Sequence, residues 1–148
     1  MRVASFHGYG IEPESQAFAK LEVWVREQGP MEEIEQHRVF GFNNPNPSEG
    51  TPHYGYKVWI TIDEDVEAEG DMEIKQVSGG RYAVMVCKPV TGEEIPQCWQ
   101  QLVNWLANSQ HRHANHQWLE EHIWPTGAPF GDTSEGQLTL RLFAPIGS

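Results

Sequence analysis

The sequence predicts an α+β domain in which two long helices cover one face of a curved antiparallel sheet. Two stretches, 13–28 and 95–108, repeat apolar residues at spacings of three and four, which is typical of amphipathic helices. Shorter stretches alternate apolar and polar residues, which is typical of half-buried strands. The two halves also resemble one another, which predicts tandem pseudo-symmetric β-α-β repeats with a ligand groove between the halves. The 148 residues suit a single domain over residues 1–148.

The first half is predicted to open with a strand and a helix. Residues 2–6 form a short buried strand that is interrupted at Gly8. Pro13 then lies in the first turn of a helix, where its missing N–H costs nothing. The helix runs to about residue 28, where a Gly-Pro pair ends it.

Two further strands are predicted in this half. Residues 37–42 form one, and a loop rich in asparagine and proline leads to the other over 54–62. Successive side chains of a strand point to opposite faces, so Tyr56 and Trp59 lie on opposite faces of the second strand. At most one of these two rings is therefore expected to face the groove.

The second half is predicted to begin with a hairpin and the second long helix. Residues 72–77 and 81–87 flank a Ser-Gly-Gly turn, which favours a hairpin. A capping box formed by Thr91 and Glu94 then precedes the helix over 95–108.

The chain is predicted to end with a short helix over 118–124 and a strand over 137–145. A weak internal repeat relates the halves. RVA at Arg2 is echoed by RYA at Arg81, and the LEVWV and LVNWL segments match within the two long helices.

Charge and hydropathy exclude several classes of partner. The net charge of -11 and the pI near 4.9 argue against direct binding of nucleic acid or an anionic membrane, which need clustered Lys and Arg. No apolar run approaches the roughly 20 residues of a membrane span, and no signal peptide is evident, so a cytoplasmic protein is predicted. Cys87 ends a predicted strand and Cys98 lies in a predicted helix, which favours two free buried thiols over a disulfide or redox pair.

Five segments together resemble GyrI-like domains. They are RVFGFNNPNP from Arg38, YGYKVWITI from Tyr54, GGRYAV from Gly79, IPQCW from Ile95 and WLEEH from Trp118. The resemblance implies tandem β-α-β repeats around a ligand groove and a stand-alone, AraC-type effector-binding domain. The family also includes domains fused to AraC-type or MerR-type DNA-binding regions, and a branch that hydrolyses cyclopropane-containing natural products. The sequence departs from the family in beginning at what is usually the second strand, which predicts a sheet edge that is either open or paired with a second copy in a homodimer.

The resemblance places Glu120 in the pocket, because Leu119-Glu120-Glu121-His122 matches a family segment whose glutamate faces the ligand. A carboxylate ringed by aromatic faces attracts an organic cation, and each ring adds about 0.5–2 kcal/mol. The other predicted ligand-binding residues are Trp59, Tyr56, Trp99, Phe40, Tyr82, Trp118, His7, His122 and Phe143. A solvated helix glutamate remains the alternative for Glu120, and Glu121 is expected to be solvated.

Two functions remain open at this stage. The first is a binding module for hydrophobic, cationic, drug-like molecules, which needs only the pocket. The second is a hydrolase of cyclopropane-bearing electrophiles in which Glu120 acts as acid or base. A hydrogen-bonding group such as His7, Tyr56 or His122 near Glu120 favours catalysis. An interaction domain with a vestigial pocket is a third reading. No cofactor or metal is predicted, because the histidines between residues 111 and 122 match no known metal-ligand spacing.

Overall fold

A computed structural model describes residues 2–27, 38–44, 49–62, 67–68, 70, 72–77, 79–88, 94–114, 116–123 and 139–147. The chain divides into two compact units, residues 1–78 and 79–148. Each unit contains antiparallel strands and one long helix, so the predicted α+β class is confirmed. The predicted groove between the halves stays a prediction.

In its described residues, the first unit forms a four-stranded antiparallel sheet with one helix. Its elements are β1 (Arg2–Gly10), α1 (Pro13–Glu27), β2 (Val39–Asn43), β3 (Tyr54–Thr61) and β4 (Glu73–Gln76). The strand order is β4-β1-β3-β2. The register places Ser5 of β1 and Phe40 of β2 opposite Trp59 of β3. These three residues therefore lie in one row across one face of the sheet.

Helix α1 packs on the other face of this sheet. Its apolar stripe of Ala17, Leu21 and Val25 is buried, as the helical spacing predicts. The predicted Gly-Pro stop lies outside the described residues.

Strand β1 is longer than predicted, because it continues through Gly8 to Gly10. A Cβ atom at Gly8 would lie 2.2 Å from the carbonyl oxygen of Pro13, so the missing side chain lets α1 approach the strand. The prediction that Gly8 interrupts the strand is therefore wrong.

The described part of the second unit has a three-stranded central sheet. Its elements are β5 (Tyr82–Cys87), α2 (Ile95–Ala107), β6 (Arg112–His113), β7 (Leu119–Ile123) and β8 (Thr139–Gly147). The order is β7-β8-β5, and β6 pairs with the far end of β8. Leu102 and Leu106 of α2 pack against Leu140 and Leu142 of β8 in a buried apolar core. This core lies on one face of the sheet only.

The two units repeat one topology. In the first unit β1 pairs with β3, and β3 pairs with β2. In the second unit β5 pairs with β8, and β8 pairs with β7. The predicted internal repeat is thus confirmed, but its unit is strand, helix, strand, strand rather than β-α-β, and the second unit carries the short β6 in addition.

Two predicted elements are wrong. Strand β4 pairs with β1 and β5 pairs with β8, so residues 72–87 do not form the predicted hairpin. Residues 119–123 form strand β7 rather than a helix. Both errors have one cause, since pairing with a distant strand outweighed a local turn or helix signal.

The predicted free thiols are also wrong, because Cys87 and Cys98 form a disulfide with a Cα–Cα distance of 6.1 Å. Cys87 ends β5, and Cys98 lies in the first turns of α2, which packs on that strand's face. Packing therefore brings together two residues that are 11 positions apart in sequence.

None of the described helices is long and apolar enough to cross a membrane.

Candidate functional site

One cluster of predicted site residues lies between α2 and β7. The register places Glu120 opposite Leu142 and His122 opposite Leu140, so both side chains share the face that packs against α2. Nε1 of Trp99 donates a hydrogen bond to Oε1 of Glu120 at 2.8 Å. Nε2 of His122 lies 4.0 Å from the other oxygen, Oε2. Glu120 is thus held from both sides within the second unit.

The contact between His122 and Glu120 is not an ion pair at neutral pH. The distance alone would allow one, but the His122 side chain is only 8% exposed. Burial disfavours the imidazolium and lowers the His122 pKa to about 4. The contact is therefore one between the Glu120 carboxylate and a neutral His122 imidazole.

Trp118, the residue immediately before β7, also belongs to this cluster. Its ring centroid lies 5.9 Å from that of Trp99 and 5.4 Å from that of His113. Trp99 and Trp118 are both partly buried against the apolar core of the second unit. Trp99 thus combines the predicted core role with a polar contact to Glu120.

The opposite face of the same sheet carries a different carboxylate. Glu121 is only 4% exposed, although the sequence predicts a solvated side chain. Its Oε1 lies 3.6 Å from Nη1 of Arg141, the residue opposite it on β8, and the Arg141 side chain is about half-exposed. In a strand, Glu121 shares its face with the apolar residues Leu119 and Ile123, which would have predicted its burial. The prediction of a helix over this segment did not reveal that pattern.

Tyr82 and Phe143 lie on this same face as Glu121. The register pairs Val84 with Phe143, so the alternate residue Tyr82 shares the face, and the two rings meet edge to face at 5.8 Å. Burial raises the pKa of Tyr82 above its usual value, which keeps the phenol protonated. A buried carboxylate and two aromatic rings thus share one side of the sheet, away from α2.

The first unit has its own aromatic face, on the side of its sheet away from α1. Phe40 and Trp59 sit opposite one another, and Phe42 meets Trp59 edge to face at 4.6 Å. Trp59 is 6% exposed, and among the described residues its indole nitrogen has no hydrogen-bond partner. His7 shares this face, and its Nε2 lies 2.7 Å from the carbonyl oxygen of Asn44. Three predicted residues, Phe40, Trp59 and His7, therefore share one face.

Tyr56 lies on the other face of β3, as predicted. Its ring is 6.4 Å from Phe18 of α1, and its hydroxyl packs against Gly41. Tyr56 is therefore a core residue of the first unit and does not join the aromatic face of Trp59.

A cavity of about 400 Å³ beside α1 was not predicted. Its walls are Phe6, Ala19, Lys20, Val23, Trp24, Glu27, Gly70 and Met72. The rings of Phe6 and Trp24 lie 5.9 Å apart. Lys20 is anchored at its rim, because its Nζ donates to the carbonyl oxygen of His7 at 2.8 Å.

Within the described ranges, no three His, Cys, Asp or Glu side chains come together in a way that could hold a metal ion.

Two α+β units of the same topology, each with aromatic side chains on its sheet, define a tandem-repeat domain of the GyrI-like type. The family described as Cass2, integron-associated effector binding protein, matches residues 1–146. The chain therefore belongs to this effector-binding family, as its sequence motifs predict. Comparison with curated proteins gives no significant match.

Proposed function

We propose that the protein binds a small organic molecule as an effector, and that the ligand is a hydrophobic cation held by aromatic rings and a carboxylate. The observation that carries the proposal is the buried carboxylate of Glu121, which shares a sheet face with Tyr82 and Phe143. Membership of an effector-binding family supports the general class of ligand.

The charge argument favours Glu121 over Glu120 as the ligand carboxylate. Removing a carboxylate from water costs several kcal/mol unless cations and hydrogen bonds compensate. Arg141, which is half-exposed and has its Nη1 3.6 Å from Oε1 of Glu121, is one such cation. A ligand cation would bring a further positive charge to Glu121, and each aromatic ring that the cation contacts would add about 0.5–2 kcal/mol.

Glu120 keeps a role in this proposal beside α2. One of its oxygens already accepts the Trp99 indole hydrogen bond, so we assign it to holding α2 against β7. The same assignment covers His122 and Trp118, which lie in that cluster. Phe40, Trp59 and His7 remain proposed ligand contacts of the first unit.

Two isosteric variants of neighbouring glutamates, Glu121→Gln and Glu120→Gln, test this proposal. Benzyltrimethylammonium would be titrated calorimetrically into the wild type and into Glu121→Gln and Glu120→Gln, with neopentylbenzene as the uncharged analogue of the same shape. We expect Glu121→Gln to weaken the cation at least about tenfold, which corresponds to about 1.4 kcal/mol, and to leave the hydrocarbon unaffected. Glu120→Gln is the matched control for loss of one charge.

Two results would contradict the proposal. A larger effect from Glu120→Gln than from Glu121→Gln would move the ligand carboxylate to the α2 side. Equal binding by all three proteins, with folding verified by circular dichroism, would remove both carboxylates from ligand recognition.

A hydrolase of cyclopropane-bearing electrophiles is the second candidate. The observation that favours it is the imidazole of His122, which is neutral and lies 4.0 Å from Glu120. A neutral imidazole can accept a proton, so the two side chains could act as an acid and a base in hydrolysis. Mass spectrometry would follow consumption of a cyclopropane-bearing electrophile. Turnover that Glu120→Gln abolishes would support this candidate, and saturable quenching of tryptophan fluorescence without turnover would support binding alone.

The AraC-type, stand-alone form of the domain, its cytoplasmic location and the exclusion of nucleic acid as a direct partner remain predictions from the sequence.

A further inference from the structure

Strand β5 is apolar along its whole length but only partly covered. Its sequence, YAVMVC from Tyr82, includes no charged side chain. A strand that is apolar on both faces is typically buried on both faces. Val84 and Val86 are nevertheless 50% and 55% exposed, and Cys87 is the only buried residue of β5. This strand therefore lacks part of the cover that its sequence predicts.

The internal repeat shows which element would supply that cover. The carbonyl oxygen of Arg2 accepts a hydrogen bond from the N–H of Ile62, and the carbonyl oxygen of Arg81 accepts one from Ile146, both at 3.0 Å. Strands β1 and β5 are therefore equivalent, with Arg2 matching Arg81. β1 pairs with β3 on one edge and with β4 on the other. Within the described residues, β5 pairs with β8 on one edge and with no strand on its outer edge.

Burial at equivalent positions differs in the way that a missing outer strand explains. The β1 residues from Val3 to Ser5, which pair with β4, are 0–4% exposed. The equivalent residues of β5, from Tyr82 to Val84, are all at least partly exposed. Successive residues point to opposite faces, so the exposure affects both faces of β5. A neighbouring strand covers both faces at once, whereas a helix covers one.

The outer edge of β5 also presents backbone groups for pairing. In an antiparallel pair, successive residues alternate between bonding to the neighbouring strand and facing away from it. Because Arg81 bonds to β8, the N–H and C=O groups of Tyr82, Val84 and Val86 face the outer edge. An apolar strand with such groups along one edge is a template for an added strand.

The charges around this edge indicate the kind of partner. Arg81 and Lys88, which flank β5, are both exposed, and Arg141 on β8 is about half-exposed. The chain has only 10 Lys and Arg against 21 Asp and Glu, so positive charge is concentrated here. If a second copy paired its own β5 in full antiparallel overlap, Arg81 would lie opposite Lys88 at each end. Like charges in that position destabilise a sheet, so the edge favours an acidic segment over a second copy.

We propose that the outer edge of β5 binds an extended segment of another protein, which adds to the sheet as an antiparallel strand in the place that β4 takes beside β1. Apolar residues at the centre of the segment cover Val84 on one face and Met85 on the other. Acidic residues at its ends meet Arg81 and Lys88. The inference does not rest on the proposed effector, because it uses the edge of the strand rather than the face that carries Glu121.

Two synthetic peptides test the proposal on the full chain by calorimetry. The probe is the capped peptide EVTVTVE, and KVTVTVK, with basic ends, is its charge control. We expect EVTVTVE to bind with a Kd below about 1 mM and KVTVTVK to bind at least about tenfold more weakly. Hydrogen exchange followed by NMR should slow at the amides of Val84 and Val86 when EVTVTVE binds. The amide of Met85, which faces β8, should change less.

A pair of variants at Val84 separates backbone pairing from contact with the side chain. Val84→Pro removes the outward N–H, a change that edge strands tolerate, and should abolish binding of EVTVTVE. Val84→Thr is the matched control, because it keeps both the N–H and the branched side chain, and it should bind within about twofold of the wild type. Arg81→Gln combined with Lys88→Gln should weaken EVTVTVE about threefold or more. Circular dichroism verifies the fold of each variant.

Four results would overturn the proposal. EVTVTVE might show no saturable binding at about 1 mM, or binding that Val84→Pro leaves unchanged in a folded chain. Unchanged hydrogen exchange at Val84 and Val86 would exclude strand addition without any variant. Equal binding of KVTVTVK would exclude an acidic partner. Self-association in sedimentation velocity that Val84→Pro abolishes would assign this edge to a second copy instead.

Discussion

Lowering the pH should destabilise the protein through His122. The pKa of His122 is about 4 in the folded chain, whereas the ordinary value for histidine is 6.5. Burial causes this decrease. Because the folded pKa is depressed, the unfolded chain binds the proton first as the pH falls. The stabilisation is therefore complete above about pH 6.5 and is lost progressively between about pH 6.5 and about pH 4.

The two pKa values set the size of this effect. They differ by about 2.5, which gives an upper limit of about 3 kcal/mol once both states are protonated. At about pH 5 nearly all unfolded chains carry the proton at His122 and few folded chains do, so the loss relative to pH 7 is about 2 kcal/mol. Helix α2, which packs over His122, contributes no charged side chain to oppose this effect.

Urea unfolding at several pH values between about 7 and 5 would measure the slope in the wild type and in His122→Gln. The comparison matters because other groups also titrate in this range, and they contribute equally to both proteins. We expect the free energy of unfolding to fall more steeply in the wild type, by about 2 kcal/mol over the interval. His53→Gln, at an exposed position, should retain the wild-type slope. Parallel slopes for wild type and His122→Gln would refute the assignment.

Two further predictions concern stability. Reducing the Cys87–Cys98 bond, whose partners are 11 residues apart, should lower the free energy of unfolding by about 3 kcal/mol from loop-closure entropy, and urea unfolding with and without a dithiol measures it. No change on reduction would mean that the bridge adds nothing to stability. Gly41→Ala would place a Cβ 2.1 Å from the Tyr56 hydroxyl and should cost about 1–3 kcal/mol. Thermal unfolding would detect this, and adding Tyr56→Phe should recover part of the loss if the hydroxyl is the obstacle.

The two glutamates of the segment from Leu119 to His122 show what the sequence could and could not predict about the candidate site. The resemblance selected the segment Leu119 to His122, and predicted that its first glutamate faces the ligand and its second faces solvent. Once this segment is a strand, the two carboxylates must occupy opposite faces. The geometry places Glu120 beside α2 and buries Glu121, so the expectation of a solvated Glu121 was wrong because the segment is a strand rather than a helix.

The tryptophans illustrate the same limit. Trp24 and Trp105 occupy equivalent places in the sequence repeat, yet Trp24 is buried and Trp105 is exposed. Helical spacing predicts which residues share a stripe, but the position of the helix on the sheet decides which edge of that stripe is covered.

The sequence by itself determined the two helices, the opposed faces of Tyr56 and Trp59, the internal repeat and the family. Each of these features follows from the periodicity of apolar residues or from the order of short motifs along the chain. Both can be read from residues that are close together in sequence. Tertiary structure alone decided the partners of β4 and β5, the disulfide and the burial of Glu121. These depend on contacts between distant residues, whose energies of pairing and burial exceed the small local preferences that a sequence pattern records.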